Sequence, residues 1–304
     1  MSVLIVGSIA LDNIKTPEDS HENLLGGSAA YGAVAASFFS QVRMVGIVGE
    51  DFPKAHIDLL KTRNIDLEGL EIVPGKTFRW SGEYLGDMNT RETLSVELNV
   101  FETFRPKLPA SYRDTRVVLL ANIAPDLQHL VLDQAAEPDF VIADTMDLWI
   151  QIARDRLMEL LGRVDLLILN DGEARQLTGE TNLIRAGKAL LAAGPRFVAI
   201  KKGEHGCLLM SGDGQFFACP AFPLEGLRDP TGAGDTFAGG LAGVLAALEP
   251  GEEITFDTLR RAVVRGSVLA SFNVEAFSLE RLKTLSPDEI DGRLEAFRQI
   301  ASFG

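Results

Sequence analysis

Short apolar runs recur along this chain, separated by longer stretches with helical spacing, and that alternation restricts it to a small set of folds. Residues 3–6, 42–48, 117–120, 140–143, 166–169 and 197–200 are such runs. Residues 28–39, 55–63, 127–136, 148–161 and 184–193 carry the helical spacing. Strands that are apolar on both faces, joined by helices, predict a mainly parallel α/β sheet flanked by helices on both faces. The last third reads as helical, with a small-residue helix over 231–248 stopped by Pro250-Gly251, then helices over 258–272 and 287–300. A length of 304 residues suits one such domain, 1–304, and no internal repeat or linker divides it.

One segment departs from the pattern. Residues 77–99 alternate and are rich in Thr, Tyr, Trp and Arg, with Gly86-Asp87-Met88-Asn89 as a turn between two runs. This predicts an antiparallel hairpin that stands off the parallel sheet as a small β lid. Segments of about 12–23 and 75–100 form the expected lid, with Phe78, Trp80 and Tyr84 on one side and Arg79 and Glu83 on the other. A two-stranded ribbon is marginal alone. The hairpin therefore needs partner strands from the 12–23 region or from the lid of a second subunit, which makes a homodimer through the lid an expectation.

Composition excludes several partners. Lys and Arg number 29 against 43 Asp and Glu, a formal net charge of −14, so a basic nucleic-acid footprint is not expected. The apolar N-terminal run is too short to cross a bilayer and lacks a basic flank, so no membrane association is expected. Cys207 and Cys219 match no metal-binding spacing and read as buried, reduced thiols, the pattern of a cytoplasmic protein.

The densest chemistry lies in Asp229-Pro230-Thr231-Gly232-Ala233-Gly234-Asp235-Thr236-Phe237. A Gly-rich turn leads directly into a helix, whose first turn offers free N–H groups and positive potential to an anion. Gly232 and Gly234 allow close approach of backbone to phosphate. No Lys-Ser or Lys-Thr follows, so this is not a Walker P-loop. Asp235 would face the bound anion, an unfavourable place for a carboxylate unless it takes a proton from an attacking hydroxyl. The competing reading is a helix-capping Asp.

That segment resembles the C-terminal signature of the ribokinase-like (PfkB) carbohydrate and nucleoside kinase family. The resemblance implies an ATP-dependent phosphotransferase with Asp235 as base, and with the N–H groups of Gly232, Ala233 and Gly234 stabilising the transferred phosphoryl group. Further motifs along the chain are similar to the family's. Gly26-Gly27-Ser28-Ala29-Ala30 resembles its N-terminal glycine pair, and Asp12 stands where the family binds substrate hydroxyls. Gly46-Ile47-Val48-Gly49-Glu50-Asp51-Phe52 resembles its Val-Gly-x-Asp turn. Asn170-Asp171-Gly172-Glu173 resembles its Asn-x-x-Glu motif, which implies Asn170 near the ATP phosphates and Glu173 organising water around Mg²⁺. Lys201, Gly203 and Asn273 fall where the family meets the nucleotide, although Lys201 stands where Thr is common. The segment after Asp144 resembles one near the phosphates but lacks its usual Arg, and Tyr31 stands where sugar-binding members commonly carry Asn.

The resemblance implies a hydroxymethyl acceptor. A free sugar or sugar acid is read first, a nucleoside second and a sugar phosphate last. Tyr31, Phe78 and Trp80 are candidate rings for stacking on a base. A monovalent cation that orders the Asp229 loop is a further expectation. Two other classes compete with this reading. A non-catalytic ligand sensor has no need of Asp235 and Glu173. A nicotinamide dehydrogenase needs a Gly-x-Gly-x-x-Gly after the first strand, and Gly7-Ser8-Ile9-Ala10 lacks it.

Overall fold

The computed structural model describes residues 2–86, 88 and 91–302. Its strands are β1 (Ser2–Val6), β2 (Ala10–Lys15), β3 (Ser20–Gly26), β4 (Gln41–Gly49), β5 (Ile65–Val73), β6 (Phe78–Tyr84), β7 (Arg91–Glu97), β8 (Val117–Leu120), β9 (Phe140–Asp144), β10 (Leu166–Asn170), β11 (Phe197–Lys201), β12 (Cys207–Ser211) and β13 (Phe216–Cys219). Its α-helices are α1 (Ser28–Ala36), α2 (Lys54–Thr62), α3 (Pro125–Leu132), α4 (Asp147–Ile152), α5 (Arg154–Leu161), α6 (Asp171–Thr178), α7 (Leu183–Ala192), α8 (Ala233–Ala246), α9 (Phe256–Asn273), α10 (Glu280–Thr284) and α11 (Pro287–Ala301).

Nine strands form one sheet in the order β13-β12-β11-β10-β9-β8-β1-β4-β5. Pairing is parallel from β11 through to β5, and β12 and β13 add antiparallel at one edge. Both faces are covered, as the two-sided apolar runs require. Along β1, Val3 and Ile5 join the core formed with α1, α8 and α9, while Leu4 and Val6 join the core formed with α3, α5, α6 and α7.

Every residue of α1 is buried, and it packs against α8 through small residues. A Cβ on Gly239 would lie 2.1 Å from the Gly32 carbonyl oxygen, and one on Gly243 would lie 2.6 Å from that of Ala36. This close approach holds α8 against the centre of the sheet and fixes where its N-terminus emerges.

A second sheet of four strands, β3-β2-β6-β7, is the lid. β2 and β3 come from the region expected to supply partner strands, and β2 pairs in parallel with β6. Asp51 anchors the lid to the main sheet. It accepts hydrogen bonds from Thr77 N and Oγ1, each at 2.7 Å, and from Arg79 Nη2 at 3.1 Å.

Three features depart from expectation. The predicted 148–161 helix is two helices, because Ala153 leaves helical geometry at φ −138° and ψ 29°. β5 was not anticipated, and neither was the β12–β13 hairpin. Of the predicted lid turn, Asp87 and Asn89 lie outside the described residues. Cys207 and Cys219 are opposite one another on β12 and β13 as buried free thiols. No helix among the described residues is long and apolar enough to cross a membrane.

Candidate active site

Parallel strands end together, and the carboxyl edge of the main sheet gathers the polar residues. Asp144, Asn170 and Lys201 are the last residues of the adjacent strands β9, β10 and β11. Asn170 pairs directly with Lys201 in the ladder, and Asp144 with Ile168. A crevice at the carboxyl ends of an open α/β sheet is where ligands bind in this class of architecture.

The N-terminus of α8 meets the same edge. Gly232 caps it in the left-handed region at φ 73°, and Asp235 lies in the first turn. Thr236 N closes the first helical bond onto Gly232 O at 2.8 Å, while Ala233 N donates to Pro230 O at 3.2 Å. The N–H groups of Gly232 and Gly234 thus remain open donors at this terminus among the described residues. Ala233 N–H, the third of the expected set, would have to be shared or re-aimed to join them.

The Asp229 side chain holds the turn. It is fully buried, Oδ1 accepts from Thr231 N at 2.9 Å, and Oδ2 accepts from Ser278 N at 3.0 Å. Asn273 completes the tie, donating Nδ2 to Thr231 O at 2.8 Å and accepting from Thr236 Oγ1 at 3.2 Å. Asn273 is 0% exposed, and its amide braces the α8 terminus.

From the sheet side, Asp144, Glu173 and Lys201 cluster with Asp235 of the α8 terminus. Burial pushes the Asp235 carboxyl up to about 7, with nearby Asp144 adding to the rise and Lys201 and Arg91 opposing it. Burial also lifts Glu173 to about 7. Lys201 reaches Asp144 Oδ1 and Oδ2 at 3.1 and 3.3 Å. Burial pulls the Lys201 ammonium down, but Asp144, Glu173 and Asp235 together hold it above its ordinary value, so it stays protonated.

Asn170 and Glu173 form a reciprocal cap at the start of α6. Asn170 Oδ1 accepts from Glu173 N at 2.8 Å, and Glu173 Oε2 accepts from Asn170 N at 2.6 Å. The cap uses one oxygen of Glu173 and the carbonyl of the Asn170 side chain, which leaves Glu173 Oε1 and the Asn170 amide nitrogen for other partners. Among the described residues no group of three His, Cys, Asp or Glu side chains could hold a metal directly. A cation that keeps most of its waters, as Mg²⁺ does, needs only one such carboxylate. Gly203 opens the exposed turn after β11 at φ 53°.

The lid supplies the other wall. Asp12 on β2 is 4% exposed, and its carboxylate rests on Gly26, where a Cβ would lie 1.9 Å from Asp12 Oδ2. Gly27, at φ 92°, packs against the Ser8 carbonyl. Ser8 and Ser28 pin this turn with reciprocal N–H to Oγ bonds of 3.1 Å. Burial lifts Asp12 to about 8, with further contributions from Asp229 and Asp235.

Asp12 pairs directly with Trp80 across β2 and β6, so the two side chains share one face of the lid. Trp80 lies over Gly82, donates Nε1 to Thr93 Oγ1 at 3.3 Å, and has the Arg91 guanidinium 5.4 Å from its ring centre. Tyr84 reaches across to α8, its hydroxyl accepting from Thr231 Oγ1 at 3.1 Å. This bond turns the Trp80 face towards the α8 terminus. Arg91 pairs with Tyr84 in the ladder and lies close enough to influence both Asp12 and Asp235.

Two expected stacking rings are placed otherwise. Tyr31 is 1% exposed, with its ring under Gly232, where a Cβ would come within 2.4 Å of it. It supports the Gly232 turn. Phe78 stacks on Phe101 at 5.4 Å within the base of the lid. Arg79 is engaged with Asp51 and Asn23. Of two members of the site, sequence reading gave Asp144 no role of its own and offered Arg91 only as a cation for a doubly charged acceptor. A lone acidic residue ending an apolar strand was the available signal for the first.

Comparison with known proteins finds relatives of this chain. Residues 2–282 match the pattern of the pfkB family carbohydrate kinase. A cytidine kinase of Thermococcus kodakarensis is 30% identical over 269 residues, covering 86% of this chain and 95% of that protein. The solved structure of Burkholderia thailandensis nucleoside kinase in complex with inosine superposes with a TM-score of 0.78 at 23% identity, covering 97% of each chain. Ribokinase from Giardia lamblia superposes with a TM-score of 0.81 at 17% identity, covering 97% of this chain and 99% of the other.

Proposed function

This chain belongs to the pfkB family of carbohydrate kinases and is an ATP-dependent kinase of a sugar or nucleoside, and on that premise we propose that its acceptor is a nucleoside phosphorylated on the ribose hydroxymethyl group. The observation that carries this reading is the pairing of Asp12 with Trp80 on one face of the lid. A carboxylate suits ribose hydroxyls, and a ring one strand away suits the base attached to that ribose. The likeness to a cytidine kinase over 86% of the chain supports the same choice over a free sugar.

In this reading the acceptor lies between lid and sheet, with its hydroxymethyl beside Asp235. Asp235 takes the hydroxyl proton as the oxygen attacks the γ-phosphorus of ATP. The open N–H groups of Gly232 and Gly234 receive the charge that builds on the phosphoryl oxygens. Asn170 and the Gly203 turn hold the nucleotide at the carboxyl ends of β10 and β11. Mg²⁺, placed through water on Glu173, would neutralise charge on the ATP phosphates. Both Asp229 oxygens already have N–H donors, so a monovalent cation beside that loop would draw its ligands from backbone carbonyls and act by tightening the turn. Two buried free thiols suit a cytoplasmic location. The test is ADP release with Mg·ATP across a panel of nucleosides and free sugars. The reading expects kcat/KM for at least one nucleoside to exceed that for ribose, and a higher value for ribose than for every nucleoside refutes it.

The pH profile follows from Asp235. A base with its pKa at about 7 is protonated and idle below that value and competent above it. Protonation of Asp12, lifted to about 8, weakens its hold on hydroxyls in the same direction. The acceptor kcat/KM should therefore lose about tenfold per unit as pH falls below 7. An acid limb centred near pH 4, the range of an ordinary carboxylate, would contradict the burial argument.

We also propose that two lids pair. β7 is an edge strand exposed along its whole length, with Leu94 55% and Val96 52% accessible. An open edge strand that exposes two apolar side chains calls for a cover, and a second copy provides one. Sedimentation at micromolar concentration should give a dimer that Val96→Lys weakens. A monomeric wild type whose Trp80→Ala variant keeps its acceptor KM would remove both lid roles.

A further inference from the structure

The ammonium of Lys201 occupies an unusual place for a buried cation. Its side chain is 18% exposed and that of its partner Asp144 is 5% exposed. The Lys201 nitrogen lies 3.1 Å from where a Cβ on Gly234 would stand, which puts it against the first turn of α8 and beside the open N–H groups there. It faces three carboxylates, Asp144, Glu173 and Asp235, and only Asp144 is within hydrogen-bond reach.

The partner is itself fixed. Asp144 Oδ1 accepts from Thr145 N at 3.0 Å, and the Asp144 carbonyl accepts from Gln128 Nε2 at 3.0 Å. Gln128 also donates to the carbonyls of Leu120 and Ala121, at 3.2 and 3.1 Å, and so ties the ends of β8 and β9 together. A buried ion pair of this kind contributes little to stability, because desolvation offsets most of the attraction. At the rim of an anion site it has a different use. A lysine ammonium carries three donors, and two contacts to one carboxylate leave capacity for a third partner. The stretch 145–153 that follows Asp144 contains no Lys or Arg, and Lys201 presents a side-chain cation from the sheet edge next to the α8 terminus.

We propose that Lys201 is a catalytic cation that meets the transferred phosphoryl group beside Gly234, and that Asp144 is the positioning residue that aims it. The inference rests on the kinase reading of the α8 terminus and adds to it a separate electrophile. Charge on the three equatorial oxygens grows as the phosphoryl group passes between ATP and acceptor, and a fixed ammonium there stabilises the transition state more than bound ATP. Lys201 thus acts on turnover and not chiefly on nucleotide affinity.

The experiment uses the full-length protein and whichever panel acceptor the wild type turns over fastest. Lys201→Met leaves Asp144 as an unpaired buried charge, so the decisive variant is the neutral pair Lys201→Met with Asp144→Asn, which removes both charges. It should keep the wild-type melting temperature and its ADP affinity to within about threefold, yet lose about 10²-fold in kcat. Lys201→Arg should recover about tenfold of that loss. Asp144→Asn alone should lower kcat, and should cost nothing further once Lys201 is Met, because Asp144 acts through it. A neutral pair with kcat within about threefold of wild type overturns the inference, as does a loss confined to ADP affinity. The same assay on Asp235→Asn keeps the two readings apart. Loss there with normal turnover in the neutral pair removes Lys201 alone, and normal turnover in Asp235→Asn removes the assignment of the base.

Discussion

Asp235→Asn is expected to lower kcat by about 10³-fold while the KM for ATP changes little. The amide has the shape of the carboxyl and keeps its place in the first turn of α8, so the helix terminus and its open N–H groups remain. It cannot accept a proton at neutral pH. The burial that holds the Asp235 carboxyl at about 7 also makes the replacement tolerable, because a neutral amide costs less to bury than a carboxylate. The variant should fold and melt like the wild type, and its residual rate should lose the acid limb near pH 7. Stopped assays of ADP formation under saturating ATP and acceptor provide the check. Turnover within tenfold of wild type would leave Asp235 as a first-turn carboxylate that only favours the helix terminus.

Gly26→Ala is expected to produce the second large effect, on the acceptor side alone. A Cβ at Gly26 would stand 1.9 Å from Asp12 Oδ2 and 2.7 Å from Oδ1, so the carboxylate must leave its position. Neighbouring structure gives it little alternative space, since Asp12 is 4% exposed and Ala10 and Leu11 beside it are 1% exposed. Misplacement of a substrate-holding group by about 1 Å can cost 10²-fold, and that loss should fall on kcat/KM for the acceptor with ATP binding intact. Titration of acceptor at saturating ATP, paired with ADP binding to the free variant, separates the two sides. Equal loss on both sides would mean that the α1 end had been disturbed and Asp12 had not been singled out.

How far the sequence reaches depends on distance along the chain. The apolar runs of β1, β8, β9, β10 and β11 are buried on both faces, and such strands state their environment in their own composition. The α8 terminus was legible for the same reason, because glycines, cap and carboxylate lie within a few consecutive residues. β5 was not, since its sequence Ile-Asp-Leu-Glu-Gly-Leu-Glu-Ile-Val mixes charge into an edge strand that is only partly covered. Lid strands were recognisable by alternation, but the parallel pairing that sets Asp12 beside Trp80 depends on register, which no local signal specifies.

Side-chain roles diverged most where packing decides them. Tyr31 and Asn273 have the chemistry of ligand contacts, and burial directs both to bracing the Gly232 turn. Asp144 and Lys201 are separated by 57 residues and meet only because β9, β10 and β11 lie side by side and end together. Neither residue announces the pair on its own.

The most direct test of the account is the identity of the phosphorylated product. Wild-type protein incubated with Mg·ATP and cytidine or inosine should give, by phosphorus NMR, equal amounts of ADP and a nucleoside monophosphate whose phosphorus couples to the two hydrogens of the ribose hydroxymethyl carbon. Release of ADP with inorganic phosphate alone, or phosphate found on ribose but on no nucleoside, would contradict it.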